Sequence, residues 1–212
     1  MALRKIGVFG GTFDPIHIGH LVLAEEAWYE LKLEKVLFVP AGDPPHKRGR
    51  RLTPGFHRAR MVELAIRDNP YFELNRTDLD RPGPHYAVDM IHLLKKQLGE
   101  DAEIYFLVGL DSLIDLPNWH RPKDLLASCH FVALNRYGYW LDWEELEVAL
   151  PGIKEKVHIL DMPELEIASH VLQQRVREGR PIKYQVPKEV EEYIFEHGLY
   201  VTRGKEHTGG AG

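Results

Sequence analysis

"GTFDPIHIGH", residues 11–20, follows a short apolar run, Ile6-Gly7-Val8-Phe9, and the reading of the whole chain turns on it. The run predicts a strand. Gly10 and Gly11 then break it, Phe13-Asp14-Pro15 makes a turn, and a helix is expected to begin near His17. A strand, a glycine turn and a helix start, in that order, place free backbone N–H groups and the positive end of a helix dipole at the carboxyl edge of a sheet. That arrangement binds phosphate. His17 and His20 are three residues apart, so both face the same spot. Gly19 between them lets a ligand come close to the backbone. Two imidazoles donating to phosphate oxygens stabilise the charge that builds during attack at phosphorus. A zinc reading of the two histidines lacks cysteine or carboxylate ligands at a suitable spacing, so no resident metal is expected.

Working outward, runs rich in β-branched and aromatic residues alternate with amphipathic stretches. Strands are expected at Lys5–Phe9, Lys35–Pro40, Phe72–Asn75, Glu103–Val108, His130–Asn135 and Val157–Asp161. Between them, Leu21, Ala24, Trp28 and Leu31 mark one helical face; Met61, Leu64 and Ala65 mark a second, and Ala87, Ile91 and Leu94 a third. Alternation of this kind predicts an α/β fold, a Rossmann-like, mostly parallel sheet with helices on both faces. The ligand crevice should then lie at the carboxyl ends of the strands. A small helical C-terminal segment, about residues 166–200, should pack over one end of the sheet. A single domain over 1–201 and a polar, glycine-rich tail over 202–212 are expected.

Composition narrows the classes. The 212 residues carry 27 Lys and Arg against 32 Asp and Glu, a net charge of −5. That argues against a protein held to nucleic acid by bulk charge. A single cysteine, Cys129, leaves no disulfide framework and suits the reducing cytoplasm. No run approaches the ~18 apolar residues of a membrane span. One local exception to the acidic balance is "HKRGRRLTPGFHRARM", residues 46–61, with Lys47, Arg48, Arg50, Arg51, Arg58 and Arg60. Beside a phosphate site, such a basic loop would steer anionic substrates.

The strand, G-G-T-F-D-P turn and H-x-G-H together resemble the nucleotidylyltransferase superfamily. Within it the chain is most similar to the bacterial nicotinate mononucleotide adenylyltransferases. "PAGDPPHK" (40–47), "LVGLDSLIDLPNWHRPKDLL" (107–126), "NRYGY" (135–139) and "YQVPKEVEEYIFEHGLY" (184–200) carry the resemblance along the chain, from about residue 4 to 201. It implies in-line attack by a pyridine mononucleotide phosphate on the α-phosphorus of ATP, with Mg²⁺ on the triphosphate and pyrophosphate as the leaving group. Such chemistry asks a protein mainly for positioning and charge stabilisation.

By the same resemblance His17, His20, Lys47 and Arg136 flank the reacting phosphates. Gly10, Gly11, Thr12, Phe13, Gly19, Gly109, Asp111, Ser169 and Arg177 are expected around ATP. Asp14, Tyr86, Asp89 and Trp119 are expected around the acceptor. The family also implies self-association.

Two stretches depart from the family pattern. Where the family carries I-S-S-T-x-I-R, this chain reads "IASHVLQ" (167–173), with Ala168, His170 and Gln173 replacing a serine, a threonine and an arginine. Arg175 would face away from that position, whereas Arg177 returns to the same helical face roughly 6 Å further along. In "RPGPHYAVDMI" (81–91), Tyr86 and Asp89 remain but His85, Ala87 and Met90 are unusual. The alternatives left open are a related nucleotidylyltransferase for nicotinamide mononucleotide or a phosphopantetheine-like acceptor, and a nucleotide-binding regulator without turnover.

Overall fold

In the computed structural model, described over residues 3–42, 52–134, 141–160 and 165–201, six strands form one parallel sheet. They are β1 (Arg4–Gly11), β2 (Lys35–Pro40), β3 (Phe72–Leu74), β4 (Ala102–Val108), β5 (His130–Leu134) and β6 (Val157–Leu160), in the order β3-β2-β1-β4-β5-β6. The order reverses between β1 and β4, and a crevice opens outside the carboxyl ends of strands at such a switch point. Gly11 ends β1 and Val108 ends β4, so the residues that follow them meet there.

Among the described residues eight α-helices accompany the strands: α1 (Ile18–Leu31), α2 (Gly55–Ile66), α3 (Ala87–Leu98), α4 (Leu110–Ile114), α5 (Pro122–Ser128) and α6 (Trp143–Ala149) between them, and α7 (Ser169–Arg177) and α8 (Lys188–Glu196) after β6. The strands are buried on both faces, as parallel strands must be under crossover helices. Ile6 and Val8 of β1 point to one face, where they pack with Ile104, Phe106 and the apolar sides of α3 to α6. Phe9 points to the other, with Phe38, Leu107 and helices α1, α2, α7 and α8. Leu23, Ala24 and Ala27 form the buried centre of α1, while Leu21, Trp28 and Leu31 lie at its margin.

Apart from strand ends that shift by a residue, as in β3 and β4, the sequence expectation differs in two places. β1 continues through Gly10 and Gly11 rather than stopping at Phe9, because both still pair with β2, opposite Val39 and Pro40, and glycine fits where aromatic rings occupy the space of a side chain. A Cβ on Gly10 would lie 3.1 Å from the Phe106 ring, and one on Gly11 3.0 Å from the Phe13 ring. The C-terminal helices do not cap an end of the sheet. Leu172, Val176, Val190 and Ile194 bury into the same cluster as α1 and α2. Among the described residues no helix is long and apolar enough to cross a membrane. Cys129 is buried, and burial pushes its thiol up to about 12.

Candidate active site

The turn after β1 leads straight into α1, with His17 as the N-terminal cap in extended backbone. His17 and His20 do face the same spot: their rings stack 3.6 Å apart at 29°. The His17 amide donates to Nδ1 of His20 at 3.2 Å. An Nδ1 that accepts carries no proton, so the neutral His20 ring holds its proton on Nε2, as a donor. His17 is only 6% exposed, and burial lowers its imidazole to about 4. Its Nδ1 is buried with no partner among the described residues. Desolvation penalises the charged form, so at neutral pH the His17 ring is uncharged. Gly19 serves this pair: a Cβ there would lie 3.2 Å from His17 Nδ1, so the ring rests against bare backbone.

The helix start itself offers fewer free donors than expected. The Ile18 amide is taken by the Gln185 carbonyl at 2.9 Å, and the His20 amide by the His17 carbonyl. Gly19 supplies the one first-turn amide without an acceptor among the described residues. No acidic residue lies in the first turn, so nothing there opposes an anion at the positive helix end.

The turn is held from below. Phe13 has a left-handed backbone, φ 49°, which costs a residue with a side chain about 1–2 kcal/mol. Its ring is 1% exposed and meets His20 edge-on at 5.2 Å. Phe13 therefore supports His20 from inside the core, whereas the sequence placed it facing the nucleotide. Asp14, expected at the acceptor, is 3% exposed with both carboxylate oxygens occupied. The Tyr200 hydroxyl donates to Oδ1 at 2.7 Å and the Thr53 amide to Oδ2 at 3.1 Å. Ser169, expected at the triphosphate, donates its hydroxyl to the Pro15 carbonyl at 2.9 Å. Gln173, standing where the family has an arginine, donates to the Asp14 carbonyl at 2.7 Å. The first half of α7 is thus a brace for the turn. Arg177 lies exposed in the last turn of α7, and no contact among the described residues brings it to the crevice.

Arg58 breaks with the basic loop to which the sequence assigned it. It lies in α2, 2% exposed, with Nη1 on the Thr12 carbonyl (2.7 Å), Nε on the Thr53 carbonyl (2.8 Å) and Nη2 on the Gly42 carbonyl (3.3 Å). Arg60 points outward and pairs with Glu63. Lys47, Arg48, Arg50, Arg51 and Arg136 lie outside the described residues.

Across the switch point, Gly109 precedes α4 and exposes the Asp111 carboxylate in its first turn. A Cβ on Gly109 would meet that carboxylate, so glycine keeps it room. The acceptor-side residues also come together. Tyr86 stacks on His120 at 4.0 Å, and Asp89 lies 3.9 Å from Arg121. Trp119, next along the chain, is half-buried against Phe106 at 6.4 Å. The loop before α3 is pinned by Arg81, which pairs with buried Asp78 at 2.8 Å and reaches the carbonyls of Pro84 and Tyr86. His85 donates from Nε2 to the Arg81 carbonyl, 3.0 Å away, and packs against Gly42.

A parallel sheet with this switch point, and a stacked histidine pair at the first helix start, define a nucleotide-handling α/β protein. The cytidylyltransferase-like family model matches residues 8–176. A protein of Thermomicrobium roseum, described as a probable nicotinate-nucleotide adenylyltransferase, is 46% identical over 200 residues, which is 94% of this chain and 93% of that one. One of Moorella thermoacetica, described in the same words, is 41% identical over 203 residues, again 94% and 93%. The Plasmodium falciparum nicotinic acid mononucleotide adenylyltransferase, solved with NaAD, shares the fold with a TM-score of 0.75 at 21% identity. That match covers 93% of this chain and 97% of the other. The chain belongs to the nicotinate-nucleotide adenylyltransferase family.

Proposed function

We propose that the chain transfers the adenylyl group of ATP to nicotinate mononucleotide, giving the dinucleotide and pyrophosphate in NAD biosynthesis. An oxygen of the acceptor 5′-phosphate attacks the α-phosphorus, and the bond from that phosphorus to the bridging oxygen of pyrophosphate breaks. The observation that carries this reading is the stacked His17–His20 pair at the start of α1, beside the switch point. Nε2–H of His20 donates to the phosphate whose charge grows in the transition state, and neutral His17 shields the pair from water. The Gly19 amide and the α1 dipole add a fixed positive field. Asp111 holds a ribose hydroxyl, while Trp119, Tyr86 and His120 form the aromatic side of the acceptor site, with Asp89 at its edge. Mg²⁺ is read as entering with ATP on its triphosphate, as part of the substrate.

The test is pyrophosphate release from ATP and Mg²⁺ with nicotinate mononucleotide, nicotinamide mononucleotide or phosphopantetheine. Release with nicotinate mononucleotide well above the others is the expected result. A preference for another acceptor would move the specificity to the loop carrying His85 and Ala87. Silence with all three, alongside ATP binding, would overturn turnover itself.

A further inference from the structure

Four residues, Asp14, Thr53, Arg58 and Tyr200, have no part in the proposed reaction, yet hydrogen bonds tie them to one another and to the turn. Arg58 reaches the carbonyls of Thr12 and Thr53, the Thr53 amide reaches Asp14, and Tyr200 reaches the other oxygen of Asp14. Thr12 and Asp14 are the two neighbours of Phe13, so the set grips the chain on both sides of its left-handed residue. Backbone in such a sparsely populated region persists only where its surroundings over-determine it. Phe13 in turn meets the His20 ring edge-on, and Phe9 meets it at 5.6 Å. Arg58 has no carboxylate within ion-pair distance among the described residues. Five donors in a rigid fork suit three carbonyls from three segments, a task a single ammonium cannot perform.

We infer that Arg58 is a positioning residue: with Asp14, Thr53 and Tyr200 it locks Phe13 in its left-handed conformation, and Phe13 holds the His20 ring at the angle that adenylyl transfer requires. This rests on the functional reading above. A buried cation whose hydrogen bonds all go to backbone carbonyls is an expensive device, even with Asp14 near enough to favour its charge. Its place against a turn that touches His20 fits a demand for geometry.

The experiment compares Arg58→Lys and Tyr200→Phe with the parent in the full chain. It reads kcat, KM for each substrate, the thermal midpoint, and the Hε1 resonance of His20 by NMR. Tyr200→Phe keeps the half-buried ring and removes the hydroxyl that reaches Asp14, so it remains informative if the lysine variant fails to fold. The expected result is a fall in kcat of about tenfold for Arg58→Lys and about threefold or more for Tyr200→Phe, with KM values changed less than about twofold. The His20 resonance should move in both. Parent kcat in both variants, with only the thermal midpoint lowered, would overturn the inference. If the parent itself shows no transfer, the functional reading fails separately. The His20 resonance then still decides the clamp: a shift in both variants supports it, and an unmoved signal ends it.

Discussion

Burial keeps the His17 ring neutral down to about pH 4, below the ordinary value of 6.5. On acidification the unfolded chain takes up this proton first, as pH falls through 6.5. The folded protein follows only near 4. Stability from this group is therefore complete above about pH 6.5 and lost progressively towards pH 4, by up to about 3 kcal/mol. Chemical denaturation at stepped pH should show that loss, and His17→Asn should flatten the curve between those limits. An equally steep curve in the variant would assign the acid sensitivity elsewhere. For His20 the expectation concerns rate. Replacing His20 with alanine should lower kcat about a hundredfold with little change in the ATP KM, since its donor acts on charge that develops in the transition state. Comparable turnover would take His20 out of the chemistry.

Loop contacts carry the next level. Gly42 follows β2, and a Cβ there would lie 2.6 Å from the Asp78 carbonyl and 2.6 Å from the His85 ring. Backbone cannot step aside as a side chain can. Gly42→Ala should cost about 1–3 kcal/mol, read as a lower thermal midpoint. An unchanged midpoint would show that the loop carrying His85 shifts freely. The strands and most helices were legible because apolar period and turn residues agreed along the chain, and β2 was placed to the residue. Arg58 was not, because a cluster of arginines reads as a solvated face. The signal was present in the period: Arg58 stands three, four and seven residues before Met61, Val62 and Ala65, on the buried stripe of α2. Asp14 and Ser169 were expected at ligands for a related reason. Polar side chains near a phosphate motif suggest ligands, whereas Ser169 is spent on the backbone of the turn and Asp14 on Thr53 and Tyr200. His120 escaped notice because its value lies in stacking on Tyr86, from a segment more than thirty residues away in sequence.

Across the whole molecule, the sheet order puts the first strand at the centre, and its turn is built from distant segments: α2, α7 and the stretch after α8. Removing Leu199 onward should cost about 2 kcal/mol or more, from two half-buried side chains and the charge-assisted bond of the tyrosine. It should also lower kcat by the Tyr200→Phe factor or more. A truncated chain with full stability and turnover would count against the role given to that stretch. The span of 186 residues between Asp14 and Tyr200 has a biosynthetic meaning. Synthesis is vectorial and early segments fold first, so β1 and its turn leave the ribosome long before the tyrosine that completes them. The nascent chain can therefore pair its first strands while its phosphate turn is still unfinished, and the full rate arrives only once Tyr200 has been released.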